Sequence, residues 1–281
     1  MHTASRCFVG WVVMGICGAS LAGVVNEVPS CYKANKLERQ LPAPAREIFV
    51  LVDQTTLFDE KLQNSVFENT WGYLGQDSSY TVVSFSAFSQ GRYTEVVSSG
   101  IIEPPFPVKE RDSTSVRLLN SFDECMKGQE AWAKKRAVEA VKKTFVAASR
   151  DLAKSDILAA LKDVSALVKS SPAKDKVLFV VSDMLENSTI SSFYAGSTRV
   201  RAIEPAKELA AAEKAGMFGD FGGARVFVLG AGLIGPAGDS KSSYRDPKTM
   251  NALRQFWTQY FEKSGARLEQ FGQPALLQPV R

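Results

Sequence analysis

Two aspartates that directly follow strongly apolar segments are the residues in this sequence best placed to do chemistry. Asp53 follows the run Ile48–Val52, and Asp183 follows Val177–Val181 after a single serine. Short continuous apolar runs of this kind are typical of strands buried in a parallel sheet. Open sheets of parallel strands bind ligands and ions beyond the carboxyl ends of those strands. The sequence therefore predicts a site at one sheet edge, with Asp53 and Asp183 at its centre.

The composition excludes several common kinds of active site. The 281 residues include one histidine, His2, which lies in the N-terminal segment. Hydrolases that need an imidazole base, and zinc sites ligated by histidine, therefore lack an essential residue. Any chemistry has to use carboxylates, hydroxyls, lysine or a hard metal ion. The net charge of +4 comes without a long basic stripe, so no nucleic-acid partner is expected.

The hydrophobic pattern around the two aspartates indicates an α/β protein. Strand patterns are followed by segments with helical spacing, and two strands joined by the short Gln90–Gly91 turn are expected to pair antiparallel. The fold class predicted is a doubly wound, mostly parallel, Rossmann-like sheet flanked by helices, with one antiparallel hairpin strand. The expected strands are Ile48–Val52, Tyr80–Ser86, Arg92–Val97, Val177–Val181, Arg225–Leu229 and an edge strand Arg267–Gln270; the expected helices include Asp59–Tyr73, Glu130 to about Ala148, Ile157–Val168, about Ile203–Ala215, and one opened by Asp246–Pro247.

The N-terminal region has the pattern of an export signal. Nineteen residues from Cys7 to Val25 carry no charge, and Ser20–Leu21–Ala22 offers small residues at a cleavage site. Residues 1–22 are therefore expected to be a cleaved signal peptide or a retained signal anchor, which would attach the chain to a membrane through residues 7–25. In both cases the rest of the chain is exported, periplasmic or secreted. Residues 23–45 are expected to form a polar tether, followed by one domain over 46–281 with an irregular insert at about 99–150.

Outside the N-terminal segment the chain has two cysteines, Cys31 and Cys125. In an exported protein two cysteines most simply form one disulfide, which here would join the tether to a distant segment. The alternative is a pair of unrelated thiols, because sequence alone does not show whether the two Cα atoms approach closely enough.

From about Arg46 to Gln270 the sequence resembles a von Willebrand factor type A domain. The stretch Asp53-Gln54-Thr55-Thr56-Leu57 stands where members with a metal-ion-dependent adhesion site have Asp-x-Ser-x-Ser. Ser155 opens the helix that a threonine opens in the family, and Asp183 matches the second family aspartate. The resemblance implies a doubly wound sheet with one antiparallel hairpin strand.

The resemblance also implies a metal site and a function. Asp53, Thr55, Ser155 and Asp183 would hold Mg²⁺ or Mn²⁺, which prefer oxygen ligands. The site would be degenerate, because Leu57 replaces a hydroxyl ligand and Met184 replaces the usual glycine. The implied function is a non-catalytic binding domain of the cell envelope, which engages an unknown protein partner through an ion that bridges to an acidic residue. The alternative for these side chains is a role as helix caps that remain from a decayed site.

Two segments of this sequence also resemble motifs found in enzymes. Asp53-Gln54-Thr55-Thr56 after an apolar strand also resembles the nucleophile loop of magnesium-dependent phosphatases of the haloacid dehalogenase type, with Asp53 as nucleophile. That class usually needs a Gly-Asp pair after a late strand, and here Gly219–Asp220 precedes one. Gly230 to Gly235 matches the G-x-G-x-x-G pattern of dinucleotide sites, but Pro236 and the residues after it do not start a helix. That glycine-rich segment is expected to be a flexible loop at the ligand-facing edge.

Overall fold

The described chain forms one mixed sheet flanked by helices, in a computed structural model that describes residues 26–86, 94–148, 155–195, 200–233 and 246–281. The strand order is β3-β2-β1-β4-β5-β6. The strands are β1 (Arg46–Asp53), β2 (Ser78–Phe85), β3 (Thr94–Ile102), β4 (Asp175–Val181), β5 (Arg225–Leu229) and β6 (Arg267–Phe271). In the described ranges β3 pairs antiparallel with β2, and the other neighbouring strands pair in parallel. The predicted α/β fold class, including the antiparallel strand, is therefore confirmed.

The helices begin at short polar side chains that satisfy free backbone N–H groups. Asp59, Asp156 and Asp246 each accept a hydrogen bond from the backbone of the first turn of the helix that follows. The N-caps of the helices that follow β1 and residue 155 are therefore Asp59 and Asp156. The helices are α1 (Cys31–Ala34), α2 (Glu60–Tyr73), α3 (Val108–Arg111), α4 (Val116–Val146), α5 (Ile157–Ser170), α6 (Pro205–Lys214) and α7 (Pro247–Lys263).

The sheet is buried on both faces, which explains the unbroken apolar runs in the sequence. On β1, Ile48 and Val50 pack into the core beneath α2 and α4, while Phe49 and Leu51 pack into the core beneath α5, α6 and α7. All four side chains are 0–1% exposed. A parallel strand covered by helices on both sides has no solvent face, so alternation of apolar and polar residues is not needed.

The region around residues 99–150 is more regular than its sequence indicated. β3 continues to Ile102, and α4 starts at Val116, well before the expected start at Glu130. The buried positions in its first half, Phe122, Met126 and Gln129, do have helical spacing. A polar residue occupies one of these positions: Gln129 accepts a hydrogen bond from the backbone N–H of Glu103, the residue after β3, and donates one to the Glu103 carboxylate. Because Gln129 is polar, the first half of α4 lacks the continuous apolar spacing from which the start of this helix was predicted.

The described part of the expected tether is packed against the domain. Cys31 and Tyr32 are buried, and the carboxylate of Glu103 accepts hydrogen bonds from the backbone N–H of Cys31 at 2.7 Å and of Tyr32 at 3.3 Å. The hydroxyl of Ser30 also donates to Glu103. The expected disulfide is present, with Cys31 and Cys125 joined at an S–S distance of 2.04 Å. Residues 30–32 are therefore held in place by an acid far along the chain, a partner that local composition does not reveal.

The predicted signal peptide or signal anchor is not tested by the described residues. The expected signal segment 1–22 and the apolar run Cys7–Val25 lie outside the described residues. Within the ranges that are described, none of the helices is both long enough and apolar enough to span a bilayer.

Candidate functional site

The two aspartates lie at the same edge of the sheet, on neighbouring strands. β1 and β4 pair in parallel with Val52 opposite Val181, so the next residues, Asp53 and Ser182, leave their strands side by side. Asp183 follows Ser182 directly. The chain runs outward from β1 to β2 on one side and from β4 to β5 on the other, which makes this the switch point of the sheet. Open α/β sheets bind ligands in the crevice at such a point.

Asp53 is a buried carboxylate enclosed by hydroxyl groups. It is 0% exposed, and its Oδ1 accepts hydrogen bonds from the backbone N–H of Thr55 at 2.9 Å and the hydroxyl of Thr55 at 2.6 Å. Its Oδ2 accepts from the hydroxyls of Ser182 at 2.7 Å, Ser155 at 3.1 Å and Thr56 at 3.3 Å. Burial raises the pKa of Asp53, and the hydrogen bonds from Thr55 and Ser182 oppose that rise.

Asp183 is positioned by the backbone and by one aromatic residue. It is 7% exposed; its Oδ1 accepts from the backbone N–H of Leu185 at 2.8 Å, and its Oδ2 accepts from the hydroxyl of Tyr194 at 3.2 Å. Its backbone carbonyl accepts from the N–H of Gly232 at 2.6 Å. These contacts fix both the side chain and the main chain of Asp183 at the edge of the sheet.

Met184 has a backbone conformation that normally belongs to glycine. Its φ is +59°, in the left-handed region that costs L-residues about 1–2 kcal/mol. The side chain is nevertheless completely buried, and the carbonyl of Met184 accepts a 2.9 Å hydrogen bond from the indole of Trp257. The sequence resemblance implied a glycine at this position; methionine adopts the left-handed turn here and adds a buried side chain.

Ser155 is held at the start of α5 by the segment that follows β4. Its carbonyl accepts from the N–H of Asn187 at 2.9 Å, and Glu186 Oε2 accepts from the N–H of Leu158 at 3.0 Å. Glu186 is 0% exposed, and burial raises its pKa to about 8. Its Oε1 makes no hydrogen bond to any described residue. The loop that carries Asp183 therefore also fixes the helix start that carries Ser155.

The beginning of the glycine-rich segment is tied to the site. The N–H of Gly230 donates to the carbonyl of Pro274 at 2.7 Å, and Gly232 donates to Asp183 as described. Gly230 has φ +103°, and a Cβ there would lie 2.5 Å from Cε1 of Phe58 and 2.9 Å from the carbonyl of Ser182. The first residues of this segment are therefore fixed, whereas the sequence indicated a flexible loop. Positions 234–245 lie outside the described residues.

The structure brings together Asp53, Thr55 and Ser155 by direct hydrogen bonds and places Asp183 on the adjacent loop. It adds Ser182 and Thr56, two hydroxyl donors that the sequence reading did not assign to the site. The position of Ser182, next to Asp183 and opposite Asp53 in the β1–β4 register, is the signal that could have identified it. Leu57 supplies no polar group, as expected for leucine in place of a hydroxyl residue.

The residues at this edge fit a hard divalent cation in chemical type. Carboxylate and hydroxyl oxygens are the ligands that Mg²⁺ and Mn²⁺ take. Thr55 and Ser155 donate their hydroxyl protons to Asp53, which leaves oxygen lone pairs available for an ion. In the described ranges no three Asp, Glu, His or Cys side chains cluster as a metal site, so an ion here would depend on two carboxylates and neutral hydroxyls.

Comparisons with known proteins give distant likenesses in structure. No protein-family model matches the sequence, and no curated protein matches it significantly. An aerotolerance-related membrane protein from Bacteroides fragilis, solved with multiple mutations to serine, is 12% identical; the match covers 80% of this chain and 90% of that protein, with a TM-score of 0.36. The pilus adhesin SpaC from Lactobacillus rhamnosus GG is 14% identical over 83% of this chain and 28% of the adhesin, with a TM-score of 0.42. Likenesses at this level assign no function.

Proposed function

We propose that this protein is an exported binding domain of the von Willebrand factor type A kind, which contacts a protein partner at the edge formed by Asp53 and Asp183. The observation that carries the proposal is the buried Asp53 carboxylate at the switch point, which accepts hydrogen bonds from the hydroxyls of Thr55, Thr56, Ser155 and Ser182. A side chain that only caps a helix needs one oxygen that accepts from a backbone N–H group. Here, in contrast, four hydroxyls donate to a single carboxylate. The concentration of oxygen ligands supports a role for this edge in recognition.

The second part of the proposal is that Mg²⁺ or Mn²⁺ assists binding. Thr55, Ser155 and Asp183 would hold the ion, and Asp53 would orient the two hydroxyls. Such an ion supplies a coordination position for a carboxylate of the partner. The left-handed backbone at Met184 supports this assignment, because the turn after Asp183 has the conformation expected where type A domains have glycine.

Export is supported by the disulfide between Cys31 and Cys125, because disulfides persist mainly in oxidising compartments. The apolar N-terminal run supports the same location. We place the domain in the cell envelope or outside the cell.

The phosphatase alternative is disfavoured by the environment of Asp53. A nucleophilic carboxylate needs an oxygen that can reach phosphorus. Both oxygens of Asp53 accept hydrogen bonds, and the residue is 0% exposed. Its geometry is that of an orienting group rather than of an attacking one.

The proposal is tested by capture of proteins from a native envelope or secreted fraction with immobilised chain, in Mg²⁺ and in chelator. We expect a partner retained in Mg²⁺, reduced at least tenfold in chelator, and lost with Asp183→Asn. Asp112→Asn is the matched control, because Asp112 is an exposed aspartate far from the site in the sequence and should leave capture unchanged.

Two outcomes of the capture experiment would contradict the proposal, one in full and one in part. Capture that is equal in chelator and insensitive to Asp183→Asn would contradict the assignment of binding to this edge. Capture that is sensitive to Asp183→Asn but insensitive to chelator would support partner binding at this edge and contradict the assistance of a metal ion.

A further inference from the structure

A cavity lies at the opposite end of the sheet from Asp53. It has a volume of about 220 Å³ and lies between the end of α5 and the strands β1, β2 and β3. Glu47 is the second residue of β1 and Asp53 is the last, so the two sites are about 20 Å apart at the usual rise of a strand. This cavity is therefore separate from the edge to which the function is assigned above.

The polar wall of the cavity is centred on Glu47. Its Oε1 accepts from the hydroxyl of Thr81 at 3.1 Å, and its Oε2 accepts from the hydroxyl of Ser171 at 2.5 Å. Burial raises the pKa of Glu47, while these hydroxyls and that of Ser79 oppose the rise. Ser79 lies directly opposite Glu47 in the β1–β2 register. It is 4% exposed, and its hydroxyl has no hydrogen-bond partner of normal length among the described residues.

Lys176 is the cation whose charge reaches Glu47, where it opposes the rise in the pKa of this carboxyl group. None of the ion pairs found in the described ranges includes this carboxyl group. Lys176 lies opposite Glu47 in the β1–β4 register, and its Nζ is 2.7 Å from the place a Cβ would take at Gly222, in the segment before β5. A partly buried carboxylate without an ion-pair partner, beside a buried hydroxyl without a hydrogen bond of normal length, has polar capacity that a ligand can satisfy.

Apart from Asn26, Ser99 and Ser170, the remaining walls are mostly apolar and limit the size of the ligand. Phe49, Leu167 and Ile101 line the cavity, and Ile101 is 38% exposed although it is a large aliphatic residue. A cavity of roughly 150 Å³ can hold benzene, so a volume of about 220 Å³ admits a ligand slightly larger than that. Drug-sized ligands occupy roughly 300–1,000 Å³ and are too large.

We propose that this cavity binds a small organic ammonium compound, with the charged group between Glu47 and Ser79 and a short apolar body against Leu167 and Ile101. The ammonium group would donate to the remaining lone pairs of the Glu47 carboxylate and to the hydroxyl oxygen of Ser79. The apolar body would cover the exposed surface of Ile101.

The test is a titration of the full chain with n-hexylammonium, followed by calorimetry and by NMR of the backbone amides. 1-Hexanol is the matched uncharged probe. We expect hexylammonium to bind at least tenfold more tightly than hexanol, with saturating shifts at Ser79, Ile101 and Leu167. Glu47→Gln should reduce the preference for the ammonium at least tenfold, and Glu213→Gln, at an exposed carboxylate on α6, should leave it unchanged.

Three results would overturn the proposal: no saturable binding of hexylammonium, shifts confined to other parts of the chain, or an unchanged preference in Glu47→Gln. If Glu47→Gln does not fold, the wild-type comparison of the two probes and the position of the shifts decide the question. None of these results depends on the Asp53 edge, so the two proposals stand or fall separately.

Discussion

Ser182 and Asp53 are joined across the boundary between β4 and β1, where the hydroxyl of Ser182 donates a 2.7 Å hydrogen bond to Oδ2 of Asp53. The same hydroxyl accepts from the N–H of Met184 at 3.0 Å. One serine thus couples the carboxylate that ends β1 to the left-handed turn that positions Asp183. The relative position of the two aspartates therefore depends on this residue.

We expect Ser182→Ala to destabilise the protein by about 1–3 kcal/mol, because it removes a hydrogen bond to a buried carboxylate and leaves the N–H of Met184 without its acceptor. Chemical unfolding in urea measures this difference. Ser113→Ala is the control, because Ser113 is an exposed hydroxyl that donates to a backbone carbonyl. Equal stability of the two variants would show that Ser182 does not support Asp53.

The sheet edge was predictable because its two strands are buried on both faces. Ile48–Val52 and Val177–Val181 have no polar position, which is a strong local signal, and their order in the chain constrains the topology. The position of Asp53 and Asp183 at one edge follows from that topology. The hydroxyl of Ser182 was not predicted, because its role depends on the register between two strands and not on any local pattern.

The packing of residues 26–45 could not be predicted for a related reason. A proline-containing polar segment normally indicates a tether. Here Glu103 accepts hydrogen bonds from the start of α1 across 72 residues of sequence, and Gln129 donates to the carbonyl of Pro29. Long-range polar contacts of this kind leave no periodicity in the sequence, whereas apolar burial does.

Met184→Gly should destabilise the protein although it relieves backbone strain. The relief is worth about 1–2 kcal/mol, but loss of a fully buried methionine side chain costs roughly 2–5 kcal/mol. Lys36→Gly is a matched control, because Lys36 has φ +58° and is exposed, so only the relief remains. We expect urea unfolding to show lower stability for Met184→Gly and equal or higher stability for Lys36→Gly. A more stable Met184→Gly would mean that the methionine contributes little to packing.

Glu186 makes stability depend on pH with a definite sign. Its pKa rises from the ordinary value of 4.5 to about 8 in the folded protein. The folded state therefore binds more protons than the unfolded state between these pH values, and the contribution of Glu186 is greatest below pH 4.5 and is lost as the pH rises to about 8. Asp53, Glu47 and Asp156, whose pKa values are also raised by burial, contribute with the same sign.

We expect Glu186→Gln to reduce the decrease in stability between pH 5 and 8, since glutamine does not titrate. Unfolding free energies measured at several pH values test this, with Glu213→Gln as an exposed control. A pH dependence identical to that of the unmodified chain would indicate that Glu186 has an ordinary pKa.

The disulfide should contribute to stability through the length of the loop it closes. Cys31 and Cys125 are separated by 94 positions, and a crosslink over such a loop typically stabilises a protein by about 2–4 kcal/mol. We expect Cys31→Ser with Cys125→Ser to lower the unfolding free energy by about this amount. Reductant should destabilise the unmodified chain similarly and leave the double variant unaffected. Insensitivity of the unmodified chain to reductant would show that the bond is not formed in solution.

Metal binding at the Asp53 edge should appear as a gain in thermal stability. An ion that binds only the folded state, at a concentration about 100 times its dissociation constant, stabilises it by about 2.7 kcal/mol. We therefore expect Mg²⁺ or Mn²⁺ to raise the melting temperature by several degrees, because the ion separates two carboxylates at the same crevice. Asp53→Ala should abolish this gain, and Asp112→Asn should retain it.

The outcome of that melting experiment separates the three interpretations of the site. A melting temperature unchanged by Mg²⁺, Mn²⁺ and chelator, with partner capture retained in chelator, would indicate that Thr55 and Ser155 are structural groups around Asp53 and that recognition needs no ion. Magnesium-dependent release of phosphate from a generic ester, lost in Asp53→Asn, would instead require an attacking oxygen on Asp53 and favour the phosphatase. Because both oxygens of that carboxylate already accept hydrogen bonds from Thr55 and Ser182, we expect no such release and a metal-dependent increase in stability.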